Sequence, residues 1–318
     1  MSTTIKNMKY VYSKVNDLNI SQPLAISIGN FDGLHIGHQK LLQNLVAISK
    51  NKKFLSCLVS FNPHPISYFK KDKNFLIDVE QTKIELLEKI GLDFYVSIIF
   101  DKTIANLTSN EFENTVLSKC LNTKLILSGL DFKYGSGRSG NITTLKNFSD
   151  KNNIDFNTAE VVLDKELSNK ISSSTIRGMI REGDVKSASQ MLGREFEVRG
   201  TIIQGDQRGR TIGVPTANIK YNDLQVELKK GVYAVNVTYN NKKYRAIANY
   251  GIRPTFNKIT PLLEVHILDF NQDIYNQEIT VSFNQMIREE FKFDGIEQLL
   301  KQIKTDISMA REILNHGN

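Results

Sequence analysis

The chain is poor in the features that mark exported or membrane proteins. Only two of its 318 residues are cysteine, Cys57 and Cys120, each inside an apolar run. They read as buried free thiols of a reducing compartment, not as a disulfide framework. No apolar run approaches the ~20 residues of a membrane span. Residues 1–20 have no continuous apolar core and no small-residue cleavage pattern, so no signal peptide is expected. The expected location is the cytoplasm, with no membrane partner. Internal repeats and low-complexity tracts are missing as well. The net charge of +7 raises nucleic acid as a partner. Yet the lysines are scattered, and no RNP, zinc-finger or helix-turn-helix signature accompanies them. A solvated lysine-rich surface with attraction for nucleotide phosphates accounts for the charge, so no nucleic-acid partner is expected. With 40% hydrophobic and 24% charged residues, the composition is that of a folded protein long enough for two domains.

The first ~190 residues alternate strand-like and helix-like patterns, which implies a mostly parallel sheet covered by helices. Apolar runs at Leu24–Ile28, Phe54–Phe61, Phe94–Phe100, Lys124–Ser128 and Ala159–Leu163 read as strands. Glu80–Ile90 has helical spacing through Ile84, Leu87 and Ile90. Thr108-Ser109-Asn110-Glu111 is a capping box opening a helix to Cys120. Two short helices, Ser173–Arg181 and Val185–Leu192, follow, and Gly193 ends the pattern. Thereafter Phe196–Gln204, Gly231–Tyr239, Lys243–Asn249, Leu262–Asp269 and Glu278–Phe283 are short runs rich in Val, Ile, Tyr and Phe, the signature of an antiparallel barrel or sandwich. The tail from Ile296 to Leu314 keeps its apolar residues on one helical face, which should pack on the barrel.

The densest motif is Gly29-Asn30-Phe31-Asp32-Gly33-Leu34-His35-Ile36-Gly37-His38, set between the first strand and a leucine-spaced helix. A helix N-terminus offers free N–H groups and a positive dipole end, so it attracts phosphate. The glycines let backbone approach a ligand closely, and two histidines can donate to charge developing on a phosphate oxygen. The histidines could instead cap or pack the turn. Zinc is disfavoured, because no Cys, Asp or Glu cluster completes a ligand set. After the second strand, Ser60-Phe61-Asn62-Pro63-His64-Pro65 is an extended turn, either a rigid loop or a ligand-facing one. Asp131 follows the Lys124–Ser128 strand at the same sheet edge. Residues 135–140 match G-x-G-x-x-G but stand away from the first tight turn, so they read as a flexible loop carrying Arg138. Ser173, Ser174 and Arg177 begin a helix, either by ordinary capping or as a triphosphate contact.

These pieces resemble the nucleotidyltransferase superfamily. In their order, they resemble the adenylyltransferase half of bacterial bifunctional riboflavin kinase/FAD synthases: G-x-F-D-G-x-H-x-G-H at 29–38, F-x-P-H-P at 61–65, G-x-D-F-x-F-G-x-x-R-x-G at 129–140 and I-S-S-[ST]-x-I-R at 171–177. Lys133 and Tyr134 stand where Arg and Phe are usual. The resemblance implies ATP-phosphate contacts from His35, His38, Gly29, Phe31, Gly37, Ser173, Ser174 and Arg177. It puts Asn62 and Asp131 near the acceptor or adenylate.

In the second half, Gly205, Gly209 and Gly213 lie four apart in a basic loop that also carries Arg210. Such a loop can fold over phosphates, or simply be mobile. Thr216 and Asn218 are oxygen donors suited to Mg²⁺. Glu264 sits in an otherwise apolar strand, where desolvation would suit it to be a general base; an ion pair with Arg253 at a barrel rim is the bland alternative. Period two sets Glu264, His266 and Leu268 on one face. The patterns G-R-x-x-G-x-P-T-A-N (209–218), G-V-Y-A-V (231–235), N-x-G-x-R-P-T-F (249–256) and L-E-V-H-I-L-D-F (262–270) resemble the riboflavin kinase module. Asn276 stands where Gly is usual, at a turn suited to left-handed backbone.

The two resemblances imply a Rossmann-like α/β nucleotidyltransferase domain over residues 1–188 and an antiparallel β-barrel riboflavin kinase domain with a C-terminal helix over 189–318. They imply that riboflavin is phosphorylated to FMN, and FMN adenylylated to FAD, with ATP and Mg²⁺. Glu264 would be the kinase base, Thr216 and Asn218 would hold Mg²⁺-ATP, and Gly205, Gly209, Arg210, Gly213, Pro215 and Arg253 would bind ATP or flavin. Other readings are a nucleotidyltransferase with a different acceptor, or a basic flavin- or RNA-binding protein.

Overall fold

The computed structural model describes residues 8–70, 74–159, 171–204, 213–255 and 258–315, with the backbone alone for 252–261. The chain divides into two compact units, one of Met1–Asp72 with Asp78–Ser173, the other of Lys73–Ile77 with Ser174–Asn318.

The first unit is built on a parallel sheet of β1 (Lys9–Ser13), β2 (Leu24–Ile28), β3 (Leu55–Asn62), β4 (Phe94–Ile99), β5 (Thr123–Ser128) and β6 (Asp155–Thr158), in the order β1-β4-β3-β2-β5-β6. Strands β2 to β4 are laid down in one direction. The chain then returns to pair β5 with the other side of β2. The carboxyl ends of β2 and β5 therefore flank the switch point of the sheet, where open α/β sheets bind ligands. All five residues of β2 are buried, as an unbroken Leu-Ala-Ile-Ser-Ile run requires of a strand covered on both faces. Leu24, Ile26 and Ile28 enter one core cluster, while Ala25 joins Leu42 and Leu45 of α1 (Ile36–Lys52) in the other. The remaining connections carry α2 (Pro65–Lys70), α3 (Glu80–Ile90), α4 (Lys102–Asn106), α5 (Ser109–Phe112) and α6 (Ile142–Lys151).

The capping box at Thr108 is formed: its hydroxyl accepts from the Glu111 N–H, and the Glu111 carboxylate accepts from the Thr108 N–H. The helix it opens changes to π pitch over Glu113–Cys120. A strand not expected from the sequence, β6, ends at Thr158; of the strand expected at Ala159–Leu163, residues 160–163 lie outside the described residues. β6 is an exposed edge strand reading Asp-Phe-Asn-Thr, so it has no apolar run to reveal it. The same holds for β1, which the sequence reading passed over.

The second unit carries the rest of α7 (Ser173–Arg181), whose first residue closes the first unit, and α8 (Val185–Leu192). The Asp184 carboxylate caps α8 by accepting from the Ser187 N–H, and Gly193 at φ +72° ends it. A closed barrel follows, of β7 (Phe196–Ile203), β8 (Ala217–Lys220), β9 (Gly231–Tyr239), β10 (Lys242–Thr255), β11 (Lys258–Ile267) and β12 (Glu278–Glu289), in the order β10-β11-β8-β7-β12-β9. Five of these strands were expected; β8, with four residues, is too short to show a pattern. Helix α9 (Ile296–Asn315) lays Ala310 and Leu314 against Val232, Ala234 and Ile247. Ile296, expected on that packed face, is exposed, because it stands at the first residue of the helix. One helical turn before Ala310, Asp306 pairs with Arg288 of β12 at 2.8 Å.

Candidate active sites

The loop from β2 to α1 has unusual backbone. Phe31 (φ +48°), Gly33 (+81°) and Leu34 (+37°) all take left-handed conformations. Phe31 and Leu34 are buried non-glycine residues. Such conformations cost on the order of 1–3 kcal/mol each and persist only where the surroundings impose them. Position 29 must be glycine, since a Cβ there would lie 2.9 Å from the Phe31 ring. His35 is the N-cap of α1, its Nδ1 accepting from the His38 N–H at 3.3 Å. An accepting Nδ1 puts the proton of the neutral ring on Nε2. The two imidazoles stack with centroids 3.6 Å apart, and Phe31 covers His38 at 4.6 Å. Burial, reinforced by His35 and by Lys83, holds His38 well below the ordinary imidazole range. His38 is therefore neutral at pH 7, and its buried Nδ1 has no hydrogen-bond partner. Gly37 leaves the first turn of α1 without a side chain beside the free N–H groups.

The side chains of Ser173, Lys83 and Ser60 reach this loop. The Ser173 hydroxyl donates to the Asp32 carbonyl at 2.7 Å. The Lys83 ammonium, on α3, donates to the Asn30 carbonyl and to Ser60 Oγ. Asn62 ends β3, next to β2, and its carbonyl accepts from the Phe100 N–H at 2.9 Å. Beyond its cis peptide to Pro63, α2 presents Tyr68 and Phe69 edge-on to Phe100 at 5.2 and 5.8 Å. Phe69 is 66% exposed, so these rings form an open aromatic ledge. Asp131 is exposed just past β5. The glycine-rich segment 135–140 is tied down where its composition suggested flexibility: Tyr134 and Gly140 exchange backbone hydrogen bonds, and the Tyr134 hydroxyl donates to Glu113. Arg138 stands exposed on it. Ser174 and Arg177 belong to the second unit, where the Arg177 guanidinium lies 3.8 Å over the Phe75 ring.

In the barrel, Glu264 of β11 sits opposite Asn218 of β8 and Asn249 of β10. Residues directly opposite project from the same face. Leu263, Val265 and Ile267 are buried and alternate with half-buried Glu264 and His266. Leu268 lies past the end of β11 and is buried, so it leaves the face shared by Glu264 and His266. His266 Nδ1 donates to the Pro215 carbonyl at 2.7 Å, which ties β11 to the segment entering β8. Asn218 is buried, and its Oδ1 has no hydrogen-bond partner. Thr216 and Pro215, with Ala217, Val265, Phe270 and Tyr275, line a cavity of about 490 Å³. Gly213 is in left-handed backbone at φ +77°, and Asn276 at +59°. Gly205, Gly209 and Arg210 lie outside the described residues. Arg253 is described by its backbone alone, in β10 opposite Thr260.

Comparison with known proteins bears on both units. The FAD synthetase family matches residues 17–175, and the Riboflavin kinase family matches residues 192–314. The bifunctional riboflavin kinase/FMN adenylyltransferase of Buchnera aphidicola subsp. Schizaphis graminum is 36% identical over 312 residues, which is 97% of this chain and 99% of the relative. That of Haemophilus influenzae is 36% identical over 311 residues, 97% of this chain and 100% of the relative. The chain belongs to the bifunctional riboflavin kinase/FMN adenylyltransferase family. A crystal structure named Macrolide-efflux Protein, from Streptococcus pneumoniae, superposes with a TM-score of 0.85 at 32% identity, over 95% of this chain and 98% of that one. Among the described residues, no helix is long and apolar enough to cross a membrane.

In this member of the riboflavin kinase/FMN adenylyltransferase family, three features escaped sequence reasoning. The Tyr68–Phe69 ledge sits on a helix of six residues, too short for a period. Phe270–Tyr275, which walls the barrel cavity, lies in the irregular stretch between β11 and β12. Lys83 was not singled out, because the lysines as a whole were read as a solvated surface. The signal was there: Lys83, Leu87 and Ile90 are spaced i, i+4, i+7, so the lysine belongs to the inward stripe.

Proposed function

We propose a division of labour between the two units. The barrel unit transfers the γ-phosphoryl group of ATP to riboflavin, giving FMN. The sheet unit then joins FMN to the AMP part of a second ATP, giving FAD and pyrophosphate. The observation that carries this reading is the stacked His35–His38 pair, with His38 neutral, at the start of α1, at the switch point of the sheet.

In adenylylation an FMN phosphate oxygen attacks the α-phosphorus of ATP, and the bond to the pyrophosphate oxygen breaks. The attacking phosphate is already ionised, so the step needs placement and charge stabilisation, not a strong base. His35, whose Nδ1 accepts and whose Nε2 is left to donate, and neutral His38 each bring one N–H donor, and the free N–H groups of α1 add to them. Gly29, Phe31 and Gly37 shape the loop around the phosphates, and Ser173 joins it through Asp32. For Ser174 and Arg177, the phosphate role rests on the family resemblance alone. Asn62, ending β3, and Asp131, past β5, stand at strands on either side of β2, which supports assigning them to the acceptor or the adenylate. A flavin ring is flat and aromatic, and the exposed Tyr68–Phe69 ledge suits it.

In the kinase step Glu264 takes the proton of the ribityl 5′-hydroxyl as its oxygen attacks the γ-phosphorus, and ADP leaves. Thr216 and Asn218 fit a magnesium ion arriving with ATP. Both are oxygen donors, and the buried Asn218 Oδ1 has no other partner. When bound, the ion neutralises charge on the phosphates. Gly205, Gly209, Arg210, Gly213, Pro215 and Arg253 are assigned to ATP and flavin by their pattern. A cytoplasmic location suits the two buried free cysteines.

The test is a chromatographic time course with riboflavin, ATP and Mg²⁺. His38→Ala should lower FAD formation by about 10²–10³-fold while FMN still accumulates. Glu264→Gln should block FMN formation yet still convert supplied FMN to FAD. A folded variant of either kind that loses both activities equally refutes the two-site reading.

A further inference from the structure

We propose that Lys83 is a positioning residue for adenylylation, a buried ammonium that clamps the strained turn carrying His35 and His38 to the end of β3. The inference deepens the reading of those histidines and rests on it.

Lys83 is 9% exposed. A buried ammonium is expensive unless hydrogen-bonded and compensated. Here it donates to two oxygens from different strand ends, the Asn30 carbonyl beyond β2 and the Ser60 hydroxyl of β3. Asn30 immediately precedes Phe31, the first of the left-handed residues in the turn. The clamp therefore acts where backbone strain begins. Ser60 Oγ also contacts the Asn30 carbonyl at 3.4 Å, closing a small network around one oxygen.

The groups around the ammonium explain how it is tolerated. Glu80, on its own helix, and Asp32 and Asp78 supply negative charge, and the Tyr95 ring lies 5.5 Å away. The Tyr95 hydroxyl donates to Glu80 at 2.9 Å, which fixes that carboxylate. Burial lowers the Lys83 pKa, and the three carboxylates oppose the shift. Towards His38 the ammonium acts by charge: after burial and His35, it is the third cause that keeps the imidazole neutral. A neutral His38 donates one proton to a phosphate oxygen and can stack on His35 without charge repulsion. Lys83 thus has two effects on one ring, through the backbone and through the field.

The experiment is Lys83→Met in the full chain, with both activities measured across pH. FAD synthesis should fall by about 10²-fold, the scale of a small misplacement in a reacting geometry. Riboflavin phosphorylation, carried by the barrel unit, should be unchanged, and the thermal melt of the full chain reports whether the sheet unit is folded. The acid limb of FAD synthesis should move to higher pH, because His38 regains a pKa nearer the ordinary ~6.5. A folded variant with wild-type FAD synthesis and an unmoved acid limb overturns the proposal. So does a variant that loses FAD synthesis with the acid limb unmoved, which would make Lys83 merely structural. Where Lys83→Met does not fold, Lys83→Gln, which keeps a donor and removes the charge, is read by the acid limb alone: an unmoved limb overturns the proposal. Independently, His38 of the unmodified protein should titrate by NMR below the ordinary histidine value; titration at that value overturns the proposal whatever the variants do. If His38→Ala itself retains FAD synthesis, the underlying reading of the histidines fails, an outcome separate from either result with Lys83.

Discussion

Asp306 is a buried carboxylate with several hydrogen bonds, on which to test what holds α9 to its strands. It is 1% exposed. Arg288 Nε donates to both its oxygens at 3.1 and 3.0 Å, Nη2 donates to Oδ2 at 2.8 Å, and Gln302 Nε2 donates to Oδ1 at 2.7 Å. Asp306→Ala removes every one of these acceptors and leaves a guanidinium that lies 4.5 Å over the Phe291 ring. Breaking one side of a buried pair costs about 3–5 kcal/mol. The Arg288 side chain is 18% exposed, so water reaches part of the orphaned charge. The low end, about 3 kcal/mol, is therefore expected. For a unit of this size that lowers the melting temperature by about 10 °C. Differential scanning calorimetry of the full chain, with urea titration followed by riboflavin phosphorylation, measures it. Asp306→Leu with Arg288→Met should recover much of the loss, since the buried charge is then gone altogether. A single variant that loses under about 1 kcal/mol, the scale of an exposed pair, would refute the reasoning. So would a double variant as unstable as the single.

Two further outcomes follow from the sheet unit. His38 is depressed in the fold by burial first and by His35 and Lys83 next, so the unfolded chain takes up a proton at ~6.5 that the native chain refuses. Its contribution to stability is whole above that pH and is lost as pH falls below it toward the folded value; denaturation followed at several pH values should show this slope, and His38→Ala should remove it. Phe69→Ala should raise the KM for FMN in adenylylation by about two- to tenfold, the worth of a ring contact, leaving riboflavin phosphorylation alone; an unchanged KM would remove the ledge from the flavin site.

How much could be read from the residues depended on whether a pattern or a contact carried the information. The central strands announce themselves, because β2 is buried on both faces and must be apolar throughout. The capping box at Thr108 and the glycine ending α8 are local chemistry, and both stand where the sequence places them. The edge strands β1 and β6 were missed because an exposed strand has no apolar run. β8 was missed because four residues cannot show alternation. The motif at residues 29–38 was legible as a candidate phosphate site, and the resemblance extended it to a whole enzyme. What holds the motif was less legible. Lys83 lies 53 positions from the Asn30 carbonyl it bonds, and nothing local in α3 distinguishes it from a solvated lysine except its place in the inward stripe.

The two chemistries make opposite demands on a titratable side chain, and the geometry follows them. Phosphorylating an alcohol requires a group that accepts a proton, so the proposed base must stay within reach of water and substrate. Glu264 is half-buried and stands in β11 opposite Asn218 of β8 and Asn249 of β10. Adenylylating a phosphate requires donors that neither give up nor gain charge while the reaction proceeds. A neutral imidazole meets that demand if it is kept from protonating near its ordinary pKa. Burial alone would do so only if the ring stayed in place. The stacking on His35, the cover of Phe31 and the clamp of Lys83 on Asn30 keep it there. A positive charge beside a site for polyphosphate is thus used twice: it repels the proton from His38, and it favours the negative charge that arrives with the nucleotide.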